Sequence, residues 1–142
     1  MPLQVLHEDD AICVLDKAPG VLVHPTGRHV YDTIMNALFL RYRKSGEADK
    51  GVQPHVVHRL DRDTTGVLVV AKSEEVKQAL QDEFESRRPQ KHYVALVEGV
   101  IADDTGTVDA PIGRDEEAAI RLKMRIDPNG ARAVTDLSLI HI

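Results

Sequence analysis

The apolar positions along the chain follow two spacings. In Ala11–Leu15 (AICVL) and Val67–Ala71 (VLVVA) they are continuous and rich in β-branched residues, as in a buried strand. Between Ile34 and Tyr42 they recur every three or four residues: Ile34, Met35, Leu38, Phe39 and Tyr42 form one stripe. This predicts a helix from Asp32, as N-cap, to Arg43. A second stripe, Val76, Leu80 and Phe84, follows Ser73 as a cap, with Glu74 and Glu75 at the positive end of the helix dipole. Gly66–Lys72 reads as a central strand, apolar on both faces. Val21–Val23 reads as a short strand stopped at His24-Pro25, and His92–Glu98 alternates as a strand should. Glu8-Asp9-Asp10 and Lys17-Ala18-Pro19-Gly20 are turn signals. Asp127-Pro128-Asn129-Gly130 is expected to join strand 121–126 to strand 131–135. Residues 44–53 are expected to form a mobile surface loop, and residues 99–106 another loop.

Composition narrows the class. The 142 residues suffice for one core. No window approaches the run of about 20 apolar residues that spans a bilayer. The first residues lack the basic-then-apolar order of a secretory signal. The single cysteine, Cys13, lies in an apolar run and reads as a buried structural thiol. These features lead us to expect a soluble cytoplasmic protein without membrane contact. A net charge of −5 argues mildly against a polyanionic partner. The charge is uneven, however, with basic clusters at Arg41–Lys44 and Arg87–His92 that would allow a locally positive face.

The densest chemistry is His58-Arg59-Leu60-Asp61-Arg62-Asp63, immediately before the central strand. A reactive carboxylate is well placed on a loop held by a rigid strand. Arg59 and Arg62 flank Asp61, and neighbouring cations favour an ionised carboxylate. A positioned carboxylate can act on a sugar C1′, as in retaining glycosidases. An isolated D-R-D is better explained by a surface ion-pair network plus a turn. His55 and His58 lack the cysteine cluster or H-E-x-x-H helix that a zinc site needs, and Pro54 opposes a helix there. Asp61 and Asp63 are weak as a carboxylate dyad, and Cys13 has no evident base.

The whole string His58-Arg59-Leu60-Asp61-Arg62-Asp63-Thr64-Thr65-Gly66 resembles the H-R-L-D-x-x-T-S-G signature of the RluA-type RNA pseudouridine synthases, with Thr65 in place of serine. Residues 5–10, Lys17-Ala18-Pro19-Gly20 and Val23-His24-Pro25 resemble that family's opening segment. Lys91-His92-Tyr93-Val94-Ala95 and the residues up to Gly99 resemble its K-x-Y-x-A-x-x-x-G strand, and Asp109–Arg114 the segment after it.

The resemblance implies an α+β catalytic fold, with a mixed, largely antiparallel sheet and flanking helices. It implies conversion of uridine in RNA to its C-glycoside isomer: N1–C1′ breaks, the uracil turns, and C5 joins C1′. No cofactor or metal is implied, and the partner is RNA, ribosomal or transfer, acted on by a monomer. Carried across residue by residue, Asp61 is the catalytic carboxylate, with attack on C1′, attack on the base and proton abstraction at C2′ all open as its role. Arg59 enters the gap left by the flipped base. Tyr93 packs on that base, and Lys91, His58 and Arg62 belong to the RNA-binding set. Arg87, Arg88 and His92 are weaker phosphate-contact candidates. A non-catalytic RNA-binding module and a glycoside hydrolase are the competing classes.

The chain departs from that family at its end. The family's T-G-R-x-H-Q-I-R-type segment, whose arginine pairs with the catalytic aspartate, is absent, so the fold is expected to be incomplete at the C-terminus. Residues 1–136 read as the N-terminal part of the catalytic domain. Residues 137–142 (LSLIHI) match the translation of a transposon-end adapter and are expected to be a non-native tail. Little activity is therefore expected of the 142-residue polypeptide itself.

Overall fold

The computed structural model describes residues 2–27, 29–48, 51–117 and 123–140. Residues 1–92 and 93–142 form two separate compact units. In the first, β1 (Gln4–Glu8), β2 (Ile12–Lys17), β3 (His55–Val56) and β4 (Gly66–Ala71) make one antiparallel sheet in the order β1-β2-β4-β3. The β1–β2 turn is closed by Asp9, whose Oδ1 accepts the N–H groups of Ala11 and Ile12, each at 2.8 Å. The bond from Ile12, then that from the His7 side chain, then that from Ala11 hold the Asp9 carboxyl down to about 2.

Alternation along β2 puts Cys13, Leu15 and Lys17 on one face, and all three are buried. Leu68 and Val70 of β4 share that face. Helix α1 (Ile34–Ser45) covers it with Ile34, Met35, Leu38 and Tyr42. The predicted helix is thus present, with two corrections. Its N-cap is Thr33, not Asp32: Thr33 and Asn36 bond reciprocally in a capping box, while Asp32 accepts from His29 at 2.6 Å. Phe39 is 52% exposed, because the side of the stripe on which it lies turns away from the sheet.

The end of α1 corrects the expected loop at residue 44. The helix runs on through Lys44 to Ser45 and stops at Gly46, whose φ of 75° supplies the left-handed cap. Beyond it, Glu47 pairs with Lys72 at 3.4 Å and accepts the Val52 N–H; Asp49 and Lys50 lie outside the described residues. Val21–Val23 forms no strand, only one parallel bridge from Leu22 to Thr33. Strand β4 is central, but only its Leu68–Val70 face is sealed, and Val67 is 56% exposed. Helix α2 (Glu74–Glu85) begins at the predicted Ser73 cap. Its stripe of Val76, Leu80 and Phe84 is half-buried rather than buried. Past its end, Arg87 takes the left-handed conformation, with φ 54°.

In the second unit, β5 (Thr105–Asp109) pairs with β8 (Val134–Ser138), and β6 (Ile112–Arg114) pairs with β7 (Met124–Ile126), both antiparallel. Two expectations are corrected here. The 127–130 turn exists, closed by Gly130 N–H to Asp127 C=O at 2.8 Å, but the strands around it pair with β6 and β5 rather than with each other. Arg121 and Leu122, the expected start of that hairpin, lie outside the described residues. Residues 92–98 form no strand. Among the described residues no strand bonds to that segment, and Val94 and Leu96 stand exposed. Every residue of β5, β7 and β8 is exposed. Among the described residues the strand ladders are all antiparallel and fall into three sheets, so the fold is the expected α+β type.

Candidate active site

The site segment runs from β3 to β4 and is fixed at both ends. At its start, the Nε2 atom of His58 accepts the N–H of Val69 at 2.9 Å. An imidazole nitrogen that accepts a bond carries no proton, so the ring is neutral with its proton on Nδ1. Burial, and then the charge of Lys91, push its pKa below the ordinary histidine value. The ring of Phe84 from α2 stacks on it with centroids 4.7 Å apart. Arg59, Leu60 and Asp61 then alternate: Leu60 is buried, whereas Arg59 and Asp61 are exposed. A turn follows, closed by Thr64 N–H to Asp61 C=O at 3.2 Å. Gly66 opens β4 with φ 112°, a conformation that a side chain strains.

At the far end the segment rests on Lys17. In register Lys17 lies opposite Gly66, and its ammonium donates to Thr64 C=O at 2.7 Å, Arg62 C=O at 2.8 Å and Ala18 C=O at 3.1 Å. Its three N–H groups are thereby matched by three carbonyls. The clamp is reciprocal, since Nε of Arg62 donates to Gly20 C=O at 3.1 Å. The Lys17-Ala18-Pro19-Gly20 turn and the loop 61–64 are therefore bound to each other from both sides. Burial pulls the Lys17 pKa below the ordinary lysine value, opposed by the charges of Asp63 and Asp61.

This changes the electrostatic picture drawn from sequence. Asp61 makes no ion pair with Arg59 or Arg62 among the described residues. Among the described residues Arg62 donates to Gly20 C=O, Arg59 is exposed and forms no ion pair, and Lys17 is the cation electrostatically coupled to Asp61. Arg62, next to Asp61 in sequence, is turned away to the Gly20 carbonyl, whereas Arg59 and Asp61 are both exposed, on either side of buried Leu60 in sequence, without forming an ion pair. The sequence did carry a signal for Lys17: at two-residue spacing it continues the inward row Cys13, Leu15.

The other candidates are spread out. Lys91 lies within electrostatic range of His58. Tyr93 belongs to the second unit and is 63% exposed. Arg88 forms a two-bond pair with Glu83, at 2.6 and 2.7 Å. Among the described residues no cluster of three histidine, cysteine or acidic side chains could hold a metal, and no helix is long and apolar enough to cross a membrane.

An exposed carboxylate and an exposed guanidinium thus flank a buried leucine on a loop tied down at both ends. The model of the family described as RNA pseudouridylate synthase matches residues 11–142. The chain belongs to that family. Among curated pseudouridine synthases, it is 40% identical over 135 residues to ribosomal large subunit pseudouridine synthase D of Nitrosomonas europaea, covering 95% of this chain and 38% of that one. It is 43% identical over 125 residues to an uncharacterized RNA pseudouridine synthase of Chloroflexus aurantiacus, covering 88% of this chain and 38% of that one. The chain thus spans less than half the length of these relatives. Among solved structures, human RNA pseudouridylate synthase domain containing 1 superposes with a TM-score of 0.73 at 26% identity, over 96% of this chain and 51% of that one.

Proposed function

We propose that the protein carrying this sequence isomerises specific uridines of large-subunit ribosomal RNA to pseudouridine, with Asp61 as the catalytic carboxylate. The observation that carries this reading is the pinned loop that presents Asp61 and Arg59 to solvent on either side of buried Leu60. The choice of RNA is supported by relatives named for ribosomal large subunit synthases.

In this reading the target nucleotide leaves its stack, at a cost of a few kcal/mol. The planar Arg59 guanidinium, which forms no ion pair among the described residues, occupies the vacated space and offsets part of that cost. Asp61 acts at the sugar–base linkage: N1–C1′ breaks, C5–C1′ forms, and the C5 proton is exchanged for one on N1, so no co-reactant is consumed. Tyr93 offers its ring to the flipped base, and Lys91 contributes positive charge for the phosphates. His58 and Arg62 belong to the RNA-binding set chiefly through the loop they hold.

The test is a pseudouridine map of ribosomal and transfer RNA from cells with the complete gene, without it, and with its Asp61→Asn variant. We expect at least one large-subunit site to vanish in the deletion and to stay absent with Asp61→Asn. Full modification by Asp61→Asn would remove the catalytic assignment. Loss confined to transfer RNA would remove the ribosomal one.

A further inference from the structure

The loop between Gly20 and helix α1 carries the most exposed aromatic ring among the described residues. Tyr31 is 88% exposed, against 63% for Tyr93 and 52% for Phe39, while Tyr42 is buried and Phe84 lies against His58. The backbone around that ring is held at several points. Ile34 and Met35 N–H donate to Leu22 and Val23 C=O, at 3.0 and 3.2 Å, and close the loop at its base. Thr26 and His29 exchange both backbone bonds, at 3.0 and 2.9 Å, and the His29 ring meets the Asp32 carboxylate at 2.6 Å. Thr33, two residues after Tyr31, is buried as the cap of α1. A tyrosine shown to water on a backbone already ordered loses little further freedom when its ring is covered.

The same loop is joined to the site segment. It leaves Gly20, whose C=O accepts from Arg62 Nε at 3.1 Å. At its other end the bond from His29 and, more weakly, the charge of Arg62 hold the Asp32 carboxyl below its ordinary value. Arg62 thus lies near the residue that follows Tyr31, and is itself the residue that follows Asp61. An RNA strand that reaches Asp61 continues on both sides of the target nucleotide, and unpaired bases are bound by stacking on aromatic faces.

We propose that Tyr31 is a substrate-contact residue: its ring stacks on an unpaired base of the RNA strand flanking the target uridine. This rests on the isomerase reading above and adds a contact apart from the target base. Such a stack forms on binding and persists through the reaction, so its gain falls on RNA affinity more than on turnover. It needs the ring and not the hydroxyl, and it tolerates any base.

The experiment compares the complete protein with its Tyr31→Ala and Tyr31→Phe variants on large-subunit ribosomal RNA taken from a strain lacking the gene. We expect the Kd for that RNA, and KM, to rise about tenfold in Tyr31→Ala, with kcat changed less than about threefold. Tyr31→Phe should recover affinity to within about twofold of the parent protein. Equal affinity of Tyr31→Ala and the parent overturns the proposal. A Tyr31→Phe loss as large as that of Tyr31→Ala overturns it too, since the hydroxyl would then carry the contact. So does a lowered urea midpoint in Tyr31→Ala, which would make the ring a structural group. The same affinity loss on transfer RNA, and not on ribosomal RNA, would keep the stack and remove the ribosomal assignment. Affinity is read without turnover, on an Asp61→Asn background as well. Failure of the stack is therefore distinct from failure of the isomerase reading, which stands or falls with Asp61→Asn.

Discussion

Lys17 and Lys72 close opposite ends of one buried sheet face, the first opposite Gly66 where β4 begins, the second just past its last residue. The apolar row between them, Leu15 and Cys13 with Leu68 and Val70, is sealed by α1. One end is an ion-pair cluster, and the other is the support of the site loop.

The cluster end predicts a stability loss. Lys72→Met leaves Glu8 and Glu47 without their shared cation, and it also removes the bond from the ammonium to Asp9 C=O. Breaking a buried pair costs about 3–5 kcal/mol. Both carboxylates are partly exposed, so we expect about 2 kcal/mol, read as a lower urea midpoint at unchanged m-value.

The same cluster sets an acid limb. Burial works to raise the Glu8 pKa, but the bonds from Arg41 and Lys72 outweigh it and hold it below 4.5. A lowered folded-state pKa means stability present above 4.5 and lost as pH falls through the folded value. Urea midpoints measured downward from pH 5 should fall more steeply for the parent chain than for Lys72→Met.

His58 gives a second, higher window. Its folded pKa lies below the ordinary 6.5, so its contribution is complete above 6.5 and declines as pH drops below it. Protonation would also cost the bond from Val69 N–H. His58→Phe, which leaves that part-buried amide unpaired, should lose about 1–3 kcal/mol at pH 8 and flatten the response between pH 7 and 5.

Gly66→Ala should destabilise by about 1–2 kcal/mol although nothing lies within 4 Å of the added methyl group, because the penalty is conformational at φ 112°. Chemical unfolding measures it. A loss below 0.3 kcal/mol would contradict the backbone geometry.

Thr33→Ala should cost about 1 kcal/mol, and Asp32→Ala only a few tenths, in the same measurement. The reverse order would restore the cap that the sequence suggested first.

That pair of neighbours illustrates what the sequence could reveal. Asp32 and Thr33 are both good caps, and the choice is made by Asn36, which stands three residues after Thr33 and closes the reciprocal bonds. The stripe on α1, the Ser73 cap and the central place of β4 follow from spacing alone, because each depends on near neighbours. Pairing around the 127–130 turn does not. Which strand accepts β7 or β8 is decided by residues 112–114 and 105–109, and no local pattern marks them as partners. At the site, the sequence placed Arg59 and Asp61 on the segment leading into β4, and both are exposed there. The support beneath them came from a lysine about forty residues upstream, 45 from Arg62 and 47 from Thr64, visible only once β2 and β4 are in register.

The exposed faces of β5, β7 and β8 have a calorimetric consequence. Heat uptake on melting follows the apolar area that leaves a packed interior, and these ribbons have almost none to release. A scan of this 142-residue polypeptide should therefore show one endotherm sized for the first unit alone, with an enthalpy per residue well under that of a fully packed domain of its length.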